Sequence, residues 1–473
     1  MSSAEATGSA SSTPRPSLVL AAAAAGVLLW PTALNWHPYL FWDTYGYFLQ
    51  GKAYTKLLLA AAGLGPMPLE AAEGWIGAAG RMLASDPSIR SPTYSLLLYA
   101  LAAAGGFWLV AAAQALAAAV TVEVAMCRLL RLPAPGRLVL FLLLAVGTAL
   151  PWFASYLMPD LAAGLLILAA ATIAFAWPSL RHWERVWLGT TYLLAASFHS
   201  SHLLLGGGLA VLAWLLADRG AGLRLLLPVV AAFAVLTSVG WLGFGTATPT
   251  PRAPPFLLAR SWEDGPARAY LEAACGRGER WAICDGLATL APSAQGLLWN
   301  PEHSYWAMDL PTRAVVRAEE GPLLRRALAA YPLAQLEASA RNALRQLARF
   351  GLDDLVLGRG AAVTPEDYTF VYLPAAPAAV WGLAPFSALS YAATTLALLV
   401  LAARSLRRPA AALALLVLAG IVLNAAICGV LSGPHDRYQA RVIWLVPLLA
   451  AGLAWRRAPE LSAAPRVPAP AAP

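Results

Sequence analysis

The chain is short of charge and has almost no lysine. Only 12% of its 473 residues are charged, and its two lysines are Lys52 and Lys56. Soluble domains usually carry about 25% charged residues. This shortage excludes a soluble enzyme, a disordered protein and a nucleic-acid binder. Four cysteines in a chain of this length also exclude a scaffold held together by disulfides.

Apolar sequence is what the chain has in abundance, since 59% of its residues are hydrophobic and its mean hydropathy is +0.61. A helix needs roughly 20 apolar residues to cross a bilayer. Ten segments reach or approach that length: 17–36, 106–127, 136–153, 157–177, 186–199, 202–217, 225–245, 379–403, 410–431 and 442–455. The sequence therefore predicts an all-α polytopic membrane protein with about ten transmembrane helices, interfacial helices and a mainly helical periplasmic domain.

These segments also define the domain organisation. The predicted parts are disordered tails at 1–16 and 457–473, an N-terminal transmembrane catalytic module at 17–245, a periplasmic loop or domain at 246–378, and C-terminal transmembrane helices at 379–456. The catalytic module contains a first outer loop at 37–93, with helices expected at 45–64 and 68–84. The second outer region has helical patterns at 256–275 and 312–350.

The arginines predict the orientation of the chain. If the N-terminus is cytoplasmic, every short basic cluster falls on the inner side, as the positive-inside rule requires. These clusters contain Arg128, Arg131, Arg137, Arg181, Arg185, Arg219, Arg224, Arg404, Arg407, Arg408, Arg456 and Arg457. Residues 94–105 are too short to span, so we expect a surface helix that ends at Gly105 and Gly106. High alanine and arginine with little lysine favour a bacterial protein, expected in the inner membrane. We expect the first span to stay uncleaved, because no clear small-residue cleavage site precedes Asn35, Trp36 and His37.

Cysteine placement agrees with this topology. Cys275 and Cys284 lie in the second outer region, where an oxidising compartment favours a disulfide between them. Two free buried thiols are the alternative. Cys127 and Cys428 lie in apolar segments and are expected to be packing residues.

Ionisable residues converge on the outer face. Charged groups are costly inside a bilayer, so those beside it are candidates for function. They are Asp43, Asp160, His199, His202, His435, Asp436, Arg437 and Arg441, joined by Lys52 and Lys56 four residues apart on the expected interfacial helix. Because residues four apart share a helix face, the two lysines suit a lipid phosphate.

Each candidate also has a purely structural interpretation. Asp43 and Asp160 each precede a predicted helix and suit its N-terminus. His199 and His202 suit interfacial hydrogen bonding. Asp436 and Arg437 suit a local ion pair, and the two lysines suit snorkelling at the headgroups.

Metal binding is a further possibility, without diagnostic ligand spacing. Asp43, Asp160, His199 and His202, together with His435, offer the oxygen and imidazole ligands that divalent metals use. The sequence has no Walker loop, no GxGxxG after a strand and no Gly-x-Ser-x-Gly elbow. No cofactor is certain, and a divalent metal stays open.

The pattern resembles the GT-C superfamily of polyprenyl-phosphate-sugar-dependent glycosyltransferases, which includes the protein O-mannosyltransferases and the lipid A aminoarabinose transferase. The shared features are an acid soon after the first span (Asp43), a long first outer loop, a Ser-Pro-x-Tyr-x-Leu segment at 91–96, and Asp-Arg-Tyr at 436–438. The resemblance covers mainly residues 17–245. Where that family commonly has two adjacent acids in loop one, this chain has Asp43 and Thr44.

The resemblance implies an inverting transfer of a sugar from a polyprenyl-phosphate carrier to a hydroxyl of a lipid, glycan or protein acceptor at the periplasmic face. It implies Asp43 as the general base, with Asp160 as the second catalytic candidate. Arg437 and Arg441 would hold the phosphate, helped by Lys52 and Lys56. The remaining candidates, His199, His202, His435 and Asp436, would position the donor or the acceptor.

Three other functions stay open on the sequence alone. One is a ligase or polymerase resembling O-antigen enzymes, which would transfer a whole glycan. Another is a transporter, although Gln114, Glu123 and Asn424 are few and scattered. The last is a non-catalytic subunit whose Trp-rich segment in 246–378 binds a partner protein.

Overall fold

The computed structural model describes residues 14–64, 90–244, 246–250, 253–355, 360–363, 370–373, 382–404 and 408–455. The predicted tails and the expected helix at 68–84 lie largely or wholly outside these residues. Seven described helices are long and apolar enough to cross a membrane: Leu18–Asn35, Pro92–Leu129, Leu161–Ser179, Arg219–Leu242, Ala384–Ala402, Pro409–Leu431 and Asp436–Trp455. Ala134–Gly147 and Ser200–Leu216 are shorter apolar helices. The chain is therefore a membrane-embedded helical protein, and ten spans stay a prediction.

The N-terminal helices are α1 (Leu18–Leu28), α2 (Trp30–Asn35), α3 (Thr44–Ala61), α4 (Pro92–Val124, continued by a π turn at Ala125–Leu129), α5 (Ala134–Gly147), α6 (Leu150–Ser155), α7 (Leu161–Ala176), α8 (His182–Ser197), α9 (Ser200–Leu216) and α10 (Arg219–Phe244). Helix α7 is buried along almost its whole length, so it forms the centre of the bundle. Its leucine and alanine side chains pack among the surrounding helices in one large apolar core.

The second outer region folds around its own core. Its helices are α11 (Phe256–Asp264), α12 (Pro266–Gly276), α13 (Ala294–Trp299), α14 (Leu310–Ala330) and α15 (Pro332–Ala348). The patterns predicted at 256–275 and 312–350 are helical, but Gly265 and Pro332 each divide a pattern into two helices. Cys275 and Cys284 form the predicted disulfide.

The described chain is mainly helical, as predicted, and a short β-hairpin that the sequence did not predict follows this domain. Strand β1 (Gly360–Val363) pairs antiparallel with β2 (Phe370–Leu373), with Gly360 opposite Leu373. Both strands have four residues, too few for a periodicity that sequence reading recognises. The chain ends with α16 (Ala384–Ala402), α17 (Arg408–Leu431), α18 (Asp436–Ile443) and α19 (Leu445–Trp455).

Helix α4 is two helical arms joined by a sharp break. Gly105 and Gly106 leave the helical conformation, and Gly106 has φ 71° and ψ −177°. The hydroxyl of Tyr94 donates to Oε1 of Gln114 over 2.8 Å. Twenty residues of straight helix would separate them by about 30 Å, so the arms fold back on each other. This confirms the predicted end of the 94–105 helix.

Basic residues gather at one end of the bundle. Arg128 pairs with Glu184 at 2.8 Å, and Arg137 pairs with Glu123 at 3.3 Å, with all four side chains buried. The guanidiniums of Arg185 and Arg224 lie over the ring of Trp177, and Arg404 donates to the carbonyl of Leu453. Helix α7 has 16 residues, so its other end, beside Asp160, is about 24 Å away.

Candidate functional site

A short backbone pairing brings the two candidate acids to one end of the bundle. The segment after α2 lies beside the segment before α7, where the N–H of Tyr39 donates to the carbonyl of Ser155 over 2.9 Å. The N–H of Leu157 donates back to Tyr39 over 3.0 Å. Asp43 and Asp160, a few residues beyond these bonds, therefore lie at the same end, opposite the basic cluster.

Asp160 is held by arginines and not by a helix cap. Its carboxylate makes no capping hydrogen bond to α7. Nη1 of Arg441 lies 3.0 Å from it and Nη1 of Arg437 lies 3.9 Å away. Nη2 of Arg441 donates to Oδ1 of Asn424 over 3.0 Å and lies 3.2 Å from the sulfur of Cys428. Both terminal nitrogens of Arg441, Nη1 and Nη2, are thus bound by protein groups, and the residue is only 2% exposed.

Asp43 also makes no cap, although it directly precedes α3. Its Oδ1 accepts a hydrogen bond from Nη2 of Arg90 over 2.7 Å. About a fifth of each side chain is exposed, 23% for Asp43 and 21% for Arg90. The capping interpretation is therefore wrong for Asp43, whereas Asp160 does lie at the start of α7, as predicted, without a capping hydrogen bond. Asp43 is the more accessible of the two.

Arg437 lies between aromatic rings at the wall of a cavity. Its guanidinium carbon is 4.2 Å from the ring centre of Phe41 and 4.8 Å from that of Tyr438. The cavity is small, with a volume of about 10 Å³, which is room for about one water molecule. It is lined by Phe41, Phe153, Tyr156, Met158, Asp160, Leu355 and Arg437. A charged donor and an acid therefore face a mostly aromatic and apolar space.

Tyr47 lies one turn into α3 and is buried. Burial raises the pKa of Tyr47 above its ordinary value. The charged side chains that act on its hydroxyl are Arg90, Asp43, Asp160 and Arg437. Because all four charges act on one hydroxyl, they share a small region. Burial keeps the Tyr47 hydroxyl a neutral hydrogen-bond donor.

The rim of the cavity is formed by the chain after α15. Oδ2 of Asp354 lies 3.7 Å from Nδ1 of His435 and accepts the backbone N–H of Arg437 over 3.3 Å. Burial alone would raise the pKa of Asp354, but His435 and this backbone bond outweigh it and lower the pKa below its ordinary value. Arg349 pairs with Asp436 at 2.7 Å. The expected local pair of Asp436 with Arg437 is therefore wrong, because each has a partner distant in sequence.

The two histidines lie at the start of α9. Nδ1 of His199 accepts the backbone N–H of Ser201 over 3.2 Å, so His199 caps the helix. His202 is fully buried, and its Nδ1 lies 2.9 Å from the carbonyl of Ala195. The rings are 5.5 Å apart. Since the charges of Asp160 and Arg441 act on both rings, the histidines lie beside the buried acid.

The two lysines are not part of this cluster. Lys52 is half-buried and Lys56 is exposed on α3, eight and twelve residues beyond Thr44. These positions are about 12 and 18 Å along the helix from its start. They lie outside direct reach of a group held between Asp43 and Arg437.

Metal ligation gains no geometric support at these positions. In the part of the chain that the structure describes, no group of three or more His, Cys, Asp or Glu side chains is arranged to hold a metal ion. Asp43 and Asp160 instead have guanidinium partners. Arginines are therefore the charged partners of both acids at this site.

Sequence reasoning missed three contributors to the site. Arg90 directly precedes the Ser-Pro motif at 91–92, and that adjacency is a usable signal. Asp354 follows Asp353 just after a predicted helix, where a pair of acids marks a loop with polar function. Arg349 carries no such signal, because exposed arginines are common along α14 and α15.

Comparisons with protein-family models, with curated proteins and with solved structures find no match to this chain.

Proposed function

We propose that the protein is a membrane glycosyltransferase that moves a sugar from a polyprenyl-phosphate carrier to an acceptor hydroxyl, with inversion, at the extracytoplasmic face. One observation carries the proposal: the cavity walled by Asp160 and Arg437 lies at the end of the membrane helices opposite the basic cluster, beside the Asp43–Arg90 pair. A lipid carrier would approach such a site from the bilayer while its phosphate and sugar enter the polar end.

One arginine of the site is placed to meet a phosphate. Arg90, Arg437 and Arg441 lie at the carboxylates of Asp43 and Asp160, while at the rim Arg349 pairs with Asp436 and Asp354 lies near His435. Arg441 is held by protein groups, so Arg437 is the cation that faces the cavity. Its side chain is 15% exposed, and its contact with Asp160 is long at 3.9 Å. A phosphate would therefore replace a weak contact and gain charge-assisted hydrogen bonds.

Asp43 is the residue we assign as general base. In the transfer, the acceptor oxygen forms a bond to the anomeric carbon and its proton passes to a carboxylate oxygen of Asp43. The bond from that carbon to the phosphate oxygen breaks, and the phosphate leaves with the electron pair. Because a phosphate is a stable anion, this step needs no strong general acid. A positioned base contributes about 10²–10⁴-fold to such reactions.

The surroundings of Asp43 suit a site at the lipid surface. Trp36 is 68% exposed and Trp42 is 62% exposed, on either side of the buried Tyr39 and Leu40. Exposed tryptophans are typical of the membrane–water interface, where the ring meets both headgroups and acyl chains. The Cys275–Cys284 disulfide lies in the domain that follows α10, at the same end of the bundle as Asp43. A disulfide there agrees with an oxidising compartment.

Phosphate recognition is tested with undecaprenyl monophosphate, bound to the purified protein and measured by native mass spectrometry. We expect Arg437→Met to weaken binding about tenfold or more, since a hydrogen bond to a charged group contributes about 1.5–3 kcal/mol. Arg224→Met is the matched control, because Arg224 also lies over an aromatic ring but at the opposite end of the bundle. Equal binding by the two variants would refute the assignment.

A further inference from the structure

Helix α15 has three distinct faces. One face is buried against the bundle and the neighbouring helices through Ala338, Asn342 and Gln346. The opposite face of the helix is apolar and exposed: Leu333 is 78%, Leu336 67% and Leu344 69% exposed. Because 3.6 residues make one turn, these leucines form a single stripe along the helix.

The third face is charged. Glu337 and Arg341 pair at 3.1 Å, and Arg345 lies one turn further along. All three side chains are exposed. Around the helix, this charged face lies between the leucine stripe and the buried face. A helix that lies in a membrane interface presents an apolar face to the acyl chains and an adjacent cationic face to the headgroups.

The position of α15 places these faces at the level of a membrane boundary. A Cβ on Gly429 would lie 2.7 Å from the backbone oxygen of Asn342, so the backbones of α15 and α17 are in close contact there. Gly429 lies two residues before the end of the candidate span Pro409–Leu431. Helix α15 therefore lies beside the end of a membrane helix, and its leucine stripe points away from that contact.

We propose that α15 is an interfacial helix, whose leucine stripe enters the outer acyl region of the bilayer and whose arginines contact lipid phosphates. The inference is independent of the proposed glycosyl transfer. An interfacial α15 would anchor the domain at 253–350 to the membrane surface. It also gives a physical reason why the chain after α15 is held over the cavity, where Gln346 accepts the N–H of His435 over 2.9 Å and Leu355 lines the wall.

Spin labelling of the full-length protein in liposomes tests this placement. Leu336→Cys carries a nitroxide, and its collision rates with oxygen and with a water-soluble nickel chelate are measured. Leu333→Cys is a second position on the same stripe. Val422→Cys, which is 50% exposed on α17, is the lipid-facing reference, and Glu302→Cys, exposed on the same domain as α15, is the water-facing reference. The free cysteines Cys127 and Cys428 are buried, so unsubstituted protein gives the labelling background.

We expect labels at 336 and 333 to give oxygen-to-nickel ratios close to that of the label at 422. Ratios close to that of the label at 302 would place the stripe in water and overturn the proposal. Dipolar broadening between labels at 336 would show a second copy of the chain on the stripe, which also overturns it. Both measurements use folded, labelled protein and do not depend on any enzymatic activity.

Discussion

Each acid of the site is paired with an arginine that is distant in sequence. Asp43 meets Arg90, and Asp160 meets Arg441, 281 residues further along the chain. An acid before a helix usually caps it, yet neither carboxylate does so. The two differ in burial, because the Asp160 side chain is 7% exposed whereas the Asp43 side chain is 23% exposed. We therefore propose different roles for them: Asp43 meets the acceptor, and Asp160 orients the arginines.

Removal of the Asp43 carboxylate is expected to abolish transfer without unfolding the protein. Asp43→Asn keeps the shape of the side chain but cannot accept the acceptor proton, so we expect a loss of about 10²-fold or more. The measurement is transfer from a panel of radiolabelled polyprenyl-phosphate sugars in membranes that contain the variant. Asp218→Asn, at the opposite end of the bundle, is the control and should keep full activity. Full activity of Asp43→Asn with intact folding would remove the proposed base.

Removal of the Asp160 carboxylate is expected to destabilise the fold strongly. Asp160→Ala leaves the buried Arg441 without its partner, and breaking a buried ion pair costs about 3–5 kcal/mol. Thermal unfolding of the purified protein, followed by tryptophan fluorescence, should show a large fall in the midpoint. Glu272→Ala removes an exposed pair with Arg268 and should leave the midpoint unchanged.

A double variant separates this charge effect from a loss of packing. Asp160→Leu combined with Arg441→Met removes both buried charges and should recover part of the lost stability. No recovery would mean that the charge pair is not the cause of the fall.

At the scale of elements, close backbone approaches decide how the helices meet. Gly51 lets α3 lie directly on the first arm of α4, because a Cβ there would collide with the carbonyl oxygen of Ser95. Gly106 lets α4 fold back, and it adopts a backbone conformation that is essentially limited to glycine. Both features keep the first outer helices beside Asp43, so the site depends on glycines that carry no chemistry.

Gly106→Ala is expected to disrupt the α4 hairpin. A Cβ at φ 71° and ψ −177° strains the backbone by about 1–3 kcal/mol. The thermal midpoint should therefore fall, together with undecaprenyl phosphate binding, since the first arm of α4 follows Arg90 directly. Gly26→Ala is a suitable control, because Gly26 lies in α1 and a Cβ there would meet no atom within 4 Å. Equal midpoints for the two variants would show that the break tolerates a side chain.

At the scale of the whole molecule, the distribution of charge predicts the direction of insertion. The basic cluster and the acid-containing site lie at opposite ends of α7, and the domain with the disulfide follows α10 at the site end. From the positive-inside rule we expect the basic end in the cytoplasm. The proposed site and the domain would then face the outside, where a lipid-linked donor would be used.

This orientation is tested with a membrane-impermeant maleimide on whole cells. Thr289→Cys, exposed in the domain near the disulfide, should react without lysis. Ala217→Cys, exposed in the turn between α9 and α10, should react only after lysis. The reverse pattern would invert the topology and place the site in the cytoplasm.

The sequence predicted the helices better than the tertiary contacts between them. The apolar runs, the 94–105 helix, the helix at 45–64 and the Cys275–Cys284 pairing all follow from local composition and spacing. The contacts of Asp436 with Arg349 and of Asp354 with His435 do not, because pairs more than 80 residues apart leave no local pattern. The β-hairpin was missed because each strand has only four residues.

By itself, the sequence determined that this is a helical membrane protein with charged groups at the ends of its apolar segments, because hydrocarbon tolerates few charges and the runs are long enough to span it. Only the tertiary structure decided which carboxylate is accessible and which is clamped. That choice depends on how arginines from distant helices fill the space around each acid, and side-chain packing of this kind is set by three-dimensional contacts and not by order along the chain.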